Sequence, residues 1–257
     1  MGIDRLDLWR ILGSSARLWA APDHHVLMPD SWLAFSGEAN VNYNVACCRA
    51  PSTAILTEQC LQPVLELGKP AIIMLAGAGL ASAQKLADAH WVTVGALPLM
   101  ALHKSSARLT VETGSSAETG GRALEKQELP LARQLLAATY GLDDASAAAA
   151  APDRAVENAD TAVWGLYDEG RLVSCATTVV EDGWVVLWSM ATRPESQGRG
   201  YGRRLLRTAL SVAFENGASG ALLHSSVAGE KLYRSLGYEV VEYWQLWSRP
   251  RWVIGYA

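Results

Sequence analysis

Two short turns, Asp168-Glu169-Gly170 and Glu181-Asp182-Gly183, restrict this chain more than any other feature. They separate three runs rich in β-branched and aromatic residues, at 161–168, 171–180 and 184–191. An acidic residue followed by glycine suits the left-handed backbone that a tight hairpin connection demands. Nothing helical fits between runs so closely spaced, so they form an antiparallel meander. The third run leads into a glycine-rich turn, a helical pattern to about residue 216, and a strand at 220–224. A helix at 228–236 and final strands through Trp247 follow. The order, meander and then β-turn-α-β-α-β, sets the glycine-rich turn at the end of the third strand.

The first 104 residues alternate strand and helix and read as a small α/β unit of their own. Apolar spacing predicts a helix over 4–19, strands at 32–35 and 43–48, and a helix over 57–67 capped by Thr57 and stopped at Gly68. A strand at 71–75, a helix over 82–90, and strands at 91–95 and 97–102 complete it. A new start then reads as a strand at 108–112, a loop at 114–121 and a helix over 124–139. The alanine-rich stretch 144–152 is a second short helix or a linker. The expected division is 1–104 and 105–257.

Half of the residues are hydrophobic and 19% are charged, enough apolar material for a buried core. Net charge is −4 and neither half carries a basic surplus, which argues against nucleic acid as a partner. No apolar run reaches the length of a membrane span, and Asp4, Arg5, Asp7 and Arg10 interrupt the first ten residues, unlike a secretory signal. A cytoplasmic protein is expected, with no membrane association. Cys47, Cys48, Cys60 and Cys175 lack metal-ligand spacing and read as free buried thiols. His24, His25, His90, His103 and His224 form no metal cluster, so no metal is expected. No Gly-x-Ser-x-Gly elbow supports a serine hydrolase.

The turn itself carries the chemistry. Pro194-Glu195-Ser196-Gln197-Gly198-Arg199-Gly200-Tyr201-Gly202-Arg203-Arg204 runs from a strand into a helix. A helix start offers unpaired N–H groups and the positive end of the dipole, and glycines let a phosphate approach them. Arg199, Arg203, Arg204 and Arg207 add charge that suits a diphosphate. The glycines overlap a Gly-x-Gly-x-x-Gly search, but a dinucleotide fold needs that motif after the first strand of a parallel βαβ unit. A P-loop would need Gly-Lys-Ser/Thr, which is missing.

Gln197-Gly198-Arg199-Gly200-Tyr201-Gly202 resembles the Gln/Arg-x-x-Gly-x-Gly/Ala signature of the GCN5-related N-acetyltransferases (GNAT). Downstream, Ala228-Gly229-Glu230-Lys231-Leu232-Tyr233-Arg234-Ser235-Leu236-Gly237-Tyr238 is similar to the second signature of that family. The likeness covers roughly residues 107–248. It implies an α/β, mixed-sheet GNAT fold whose strands 184–191 and 220–224 part around the pantetheine arm of acetyl-CoA. Backbone groups of Met190, Ala191 and Thr192 would pair with that arm. Gln197, Gly198, Arg199, Gly200, Tyr201, Gly202 and Arg203 would hold the diphosphate, with Arg193 as a further phosphate candidate.

By the same resemblance Tyr233 is the proton donor to the leaving thiolate, and a main-chain N–H near Met190 or Ala191 polarises the thioester. The general base stays open. Glu181 and Asp182 lie in a hairpin turn, Glu195 sits beside the phosphate turn, and His224 ends a strand bordering the cleft. Ser225 and Ser226 stand where many relatives have asparagine, and a water chain without a dedicated base is another option. Residues 91–100 look like the closing strands of a second, degenerate GNAT-like copy that binds no CoA; unrelated α/β decoration is the alternative.

The expected activity is acetyl transfer from acetyl-CoA to a primary amine of a small molecule, directly in a ternary complex. The alternatives are a non-catalytic acyl-CoA-binding sensor and a protein or peptide N-acetyltransferase. A homodimer is an open option. The ten tryptophans are read mainly as core, with one or two available to line an acceptor pocket.

Overall fold

The computed structural model describes residues 4–109 and 120–253. The first stretch opens with helix α1 (Arg5–Ser15), which buries Leu8, Trp9, Ile11 and Leu12. Strands β1 (His25–Leu27), β2 (Ser31–Phe35) and β3 (Asn44–Cys48) follow. The next helix starts earlier than the spacing predicts. Its first segment, α2 (Thr53–Leu56), is capped by Ser52, whose hydroxyl accepts from the Ile55 N–H, and not by Thr57. Ser52 follows Pro51 and so reads as loop, although serine is among the strongest helix caps. A π-helical turn at Thr57–Leu61 continues into α3 (Gln62–Leu67), which ends at left-handed Gly68 as expected.

Strand β4 (Ile72–Leu75) is buried throughout and is followed by helix α4 (Ala83–Asp88). The two strands expected at 91–95 and 97–102 are one, β5 (Val92–His103). Gly95 and Pro98 read as punctuation, yet the strand runs through both, with Gly95 at a φ of 140° that suits glycine. The strand expected at 108–112 and the loop at 114–121 fall largely outside the described residues; Arg108 and Leu109 are not in a strand.

In the second stretch β6 (Arg122–Ala123) precedes α5 (Leu129–Tyr140), which starts five residues later than its apolar pattern suggests. A capping box between Glu125 and Glu128 opens a 3-10 turn at Lys126–Glu128, and α5 continues from it with a proline in its first turn. Asp143 caps α6 (Asp144–Ala150). The meander is β7 (Thr161–Asp168), β8 (Arg171–Glu181) and β9 (Trp184–Thr192). Glu169-Gly170 and Asp182-Gly183 take positive φ angles in its two turns. Helix α7 (Tyr201–Glu215), strand β10 (Gly220–His224), helix α8 (Val227–Leu236), strand β11 (Glu239–Ser248) and helix α9 (Pro250–Val253) complete the chain.

The chain divides into two compact units, Met1–Leu99 with Val240–Ala257, and Met100–Glu239. This differs from a linear cut at 104/105, because β11 pairs antiparallel with β4, Gln245 opposite Leu75 through Trp247 opposite Ile73. In the first unit β1, β2 and β3 pair antiparallel in sequence and β3 pairs parallel with β4. In the second unit the order is β10-β9-β8-β7-β6, with β10 and β9 parallel and the others antiparallel.

Nine of the ten tryptophans are buried, and Trp188 on β9 is half-buried. All four cysteines are buried free thiols. Among the described residues no helix is long and apolar enough to cross a membrane.

Candidate functional site

Strands β9 and β10 pair only at their beginnings, Gly220 with Trp184 through Leu222 with Val186. Beyond Val186 the remainder of β9 leaves β10 and continues paired to β8 alone. A β-bulge falls there: Cys175 faces Ala191 and Thr177 faces Trp188, so Ser189 and Met190 together oppose Ala176. Ser189 takes a φ of 50° to make it. Bulges turn a strand and sharpen its twist, which is what parts it from its neighbour.

Past the bulge the backbone polarity can be read from its partners. The Arg193 N–H donates to the Val173 carbonyl at 2.9 Å, and the Ser174 hydroxyl donates to the Ala191 carbonyl at 2.8 Å. Residues 191 and 193 therefore face β8. Successive residues of a strand point their N–H and C=O groups to opposite sides. The Met190 and Thr192 carbonyls point away from β8, where the Tyr140 hydroxyl and the Gln197 amide meet them. Of the three backbone positions expected to meet the pantetheine arm, Ala191 turns the other way and is buried.

The glycine-rich turn stands at the end of this parted strand. Gly198 and Gly200 have φ of 75° and 83°, and a side-chain carbon built on either would meet nothing within 4 Å. Gly200 is the N-cap of α7 with no side-chain cap, so the first-turn N–H groups open onto clear space. Gly202 has a different reason to lack a side chain. A Cβ there would lie 2.8 Å from Met190 Cε and 3.3 Å from Thr192 Oγ1, so the helix start packs directly on β9. Arg199 and Arg203 are exposed beside these amides. Clear space, a helix N-terminus and two exposed guanidiniums fit a diphosphate, and the parted edge of β9 at Met190 and Thr192 fits an amide-bearing arm.

Other candidates are engaged within the protein. The Tyr201 hydroxyl donates to Asp168 at 2.5 Å and its ring lies under the guanidiniums of Arg199 and Arg204, so its side chain ties α7 to the β7–β8 turn. Only its backbone faces the turn. Gln197 Nε2 donates to the Thr192 carbonyl at 3.2 Å. Arg193 Nε donates to the Leu172 carbonyl at 2.6 Å, which commits that face of the guanidinium to β8.

Tyr233 is buried on α8, its ring against Gly229 and edge-on to Tyr238 with centroids 5.7 Å apart. Burial, with a smaller effect from nearby Tyr140, pushes its hydroxyl well above the usual tyrosine range. It thus holds its proton at neutral pH. Tyr140, which the sequence reading missed, ends α5 and its hydroxyl donates to the Met190 carbonyl. Its only sequence signal is the Gly141 helix stop, which says nothing about what the side chain reaches.

The base candidates fare poorly. Glu195 forms an ion pair with Arg171 at 2.9 Å, and its own backbone N–H, with that arginine, holds its carboxyl below the usual range. Glu181 and Asp182 lie at the opposite end of β9 from the bulge. Ser226 caps α8 by accepting from the Gly229 N–H, and the Ser225 hydroxyl donates to the Ser226 carbonyl. Burial pushes the His224 imidazole down to about 3 from an ordinary value near 6.5, too weak a base for an amine.

That depression has a consequence for stability. Between pH 6.5 and 3 the unfolded chain binds a proton at His224 that the folded chain refuses, so stability falls as the pH falls. One such proton contributes a slope of about 1.4 kcal/mol per pH unit. Urea unfolding at several pH values should show this slope in wild type and a shallower one in His224→Gln. Equal slopes would contradict the depressed imidazole.

A family model described as an acetyltransferase (GNAT) domain matches residues 159–240. No curated protein sequence matches the chain significantly. Among solved structures, a GCN5-related N-acetyltransferase from Kribbella flavida is 19% identical, with a TM-score of 0.73 over 97% of this chain and 96% of that one. A putative GNAT-family acetyltransferase from Novosphingobium aromaticivorans is 17% identical, with a TM-score of 0.56 over 94% and 95%. A GCN5-related N-acetyltransferase from Sphaerobacter thermophilus is 14% identical, with a TM-score of 0.60 over 90% and 78%. These likenesses extend the fold over nearly the whole chain, and the matched segment holds the parted strands, the glycine turn and Tyr233. The chain has the GNAT fold, and its residues 159–240 are a GNAT acetyltransferase domain.

Proposed function

We propose that the protein transfers the acetyl group of acetyl-CoA directly to a primary amine of a small molecule. The carrying observation is one juxtaposition: the glycine turn opens at the end of a strand whose outward backbone, at Met190 and Thr192, has left its neighbour. The first-turn N–H groups of α7, with Arg199 and Arg203, would hold the diphosphate, and Met190 and Thr192 the pantetheine amides. When bound, acetyl-CoA supplies the activated thioester.

The protein's own residues do the rest. A main-chain N–H at the bulge stabilises the charge that develops on the carbonyl oxygen. Tyr233 keeps a proton on its hydroxyl at neutral pH and can give it to the departing thiolate. With Glu195 and His224 unsuited, the amine enters as its free base or loses its proton to water. The exposed ring of Tyr140, whose hydroxyl reaches the Met190 carbonyl, offers an apolar surface at the gap for a small acceptor.

The first unit is read as a GNAT-like half that binds no CoA. Its parallel pair stays closed to the end, from Val45 opposite Ile72 to Cys48 opposite Leu75. The Ala76 N–H then bonds the Cys48 carbonyl at 3.0 Å, so this pair does not part as β9 and β10 do.

Thiol release from acetyl-CoA, measured across a panel of small primary amines and short peptides, tests the reading. Turnover with small amines is the expected result. Turnover with peptides alone would overturn the acceptor class, and CoA binding without turnover on any acceptor would favour a sensor.

A further inference from the structure

Two successive outward carbonyls of β9 are each taken by a side chain. Tyr140 donates its hydroxyl to Met190, and Gln197 donates its amide to Thr192. Both carbonyls lie where β9 has left β10, on an edge that has the polarity of a strand awaiting a partner. The donors are exposed side chains and not backbone. Tyr140 is 52% exposed and sits in the last turn of α5, which left-handed Gly141 terminates.

We propose that Tyr140 is a further residue of the cofactor site, a placeholder that satisfies the Met190 carbonyl until the pantetheine arm enters. The inference rests on the acetyl-CoA reading above. A pantetheine arm carries two amide groups, and pairing one of them with β9 requires the in-plane direction of the Met190 carbonyl that the tyrosine hydroxyl holds. The arm and the hydroxyl therefore compete, and the cofactor binds against the loss of one hydrogen bond.

Titration calorimetry with coenzyme A on wild type and Tyr140→Phe tests this. Removing one competing neutral hydrogen bond should tighten binding about two- to tenfold. Tyr140→Leu, which also removes the hydroxyl, serves if the phenylalanine variant does not fold, and thermal melting checks both. Unchanged or weaker binding would overturn the placeholder role; a merely structural tyrosine would weaken binding when lost, the opposite sign. If neither wild type nor variants bind coenzyme A, the acetyl-CoA reading itself falls and this inference with it. Equal binding by all of them removes only the role of Tyr140.

Discussion

Gly200→Val should weaken coenzyme A binding by about a hundredfold or more while leaving the protein folded. Gly200 has a φ of 83°, and a β-branched residue in that left-handed region costs about 1–2 kcal/mol. A local rearrangement of the α7 cap relieves that strain, and the cap is the proposed phosphate site. The valine methyls would also fill the clear space in front of the first-turn N–H groups. Each hydrogen bond from such an N–H to a charged phosphate contributes about 1.5–3 kcal/mol, so losing two exceeds the 2.7 kcal/mol of a hundredfold change by rough count. Arg203→Ala, which removes only an exposed charge, should have a much smaller effect at physiological salt. Calorimetry on the three proteins decides the matter. If Gly200→Val binds coenzyme A as wild type does, the diphosphate does not lie on this turn.

Tyr233→Phe should lower kcat about 10²- to 10⁴-fold, the range over which positioned proton donors act, with little change in coenzyme A affinity. Phenylalanine keeps the ring that packs beside Gly229 and Tyr238, so the fold and the gap persist. What disappears is a hydroxyl that burial keeps protonated. Separate measurements of binding and turnover carry the test. An unchanged kcat would make Tyr233 a packing residue and leave the thiolate to be protonated by water. Loss of binding as well would place the tyrosine in cofactor recognition.

The positions that sequence reading located well are those set by local chemistry. The hairpin turns at Asp168-Glu169-Gly170 and Glu181-Asp182-Gly183 follow from the left-handed backbone they require, and the meander follows from them. The glycine turn and the helix it opens are legible because open left-handed backbone and a helix start both depend on residues within one turn of each other. The smaller errors have local causes too, as with Ser52 hidden behind Pro51 and the α5 start masked by an apolar pattern that begins too early.

Only the tertiary structure decided the rest. Where β9 and β10 part depends on a register between them that holds for three residues, and on a bulge opposite Ala176. Neither leaves a mark in either strand alone. Tyr201 and Arg193 look equally suited to phosphate in sequence, but Asp168 and the Leu172 carbonyl claim them. The return of β11 to β4 and the reach of Tyr140 to Met190 join residues far apart in the chain. Sequence by itself determined the glycine turn and the tyrosine helix, because backbone geometry and helix capping are short-range. Register and side-chain partnership settled which backbone groups face the gap, because those are properties of contacts and not of residues.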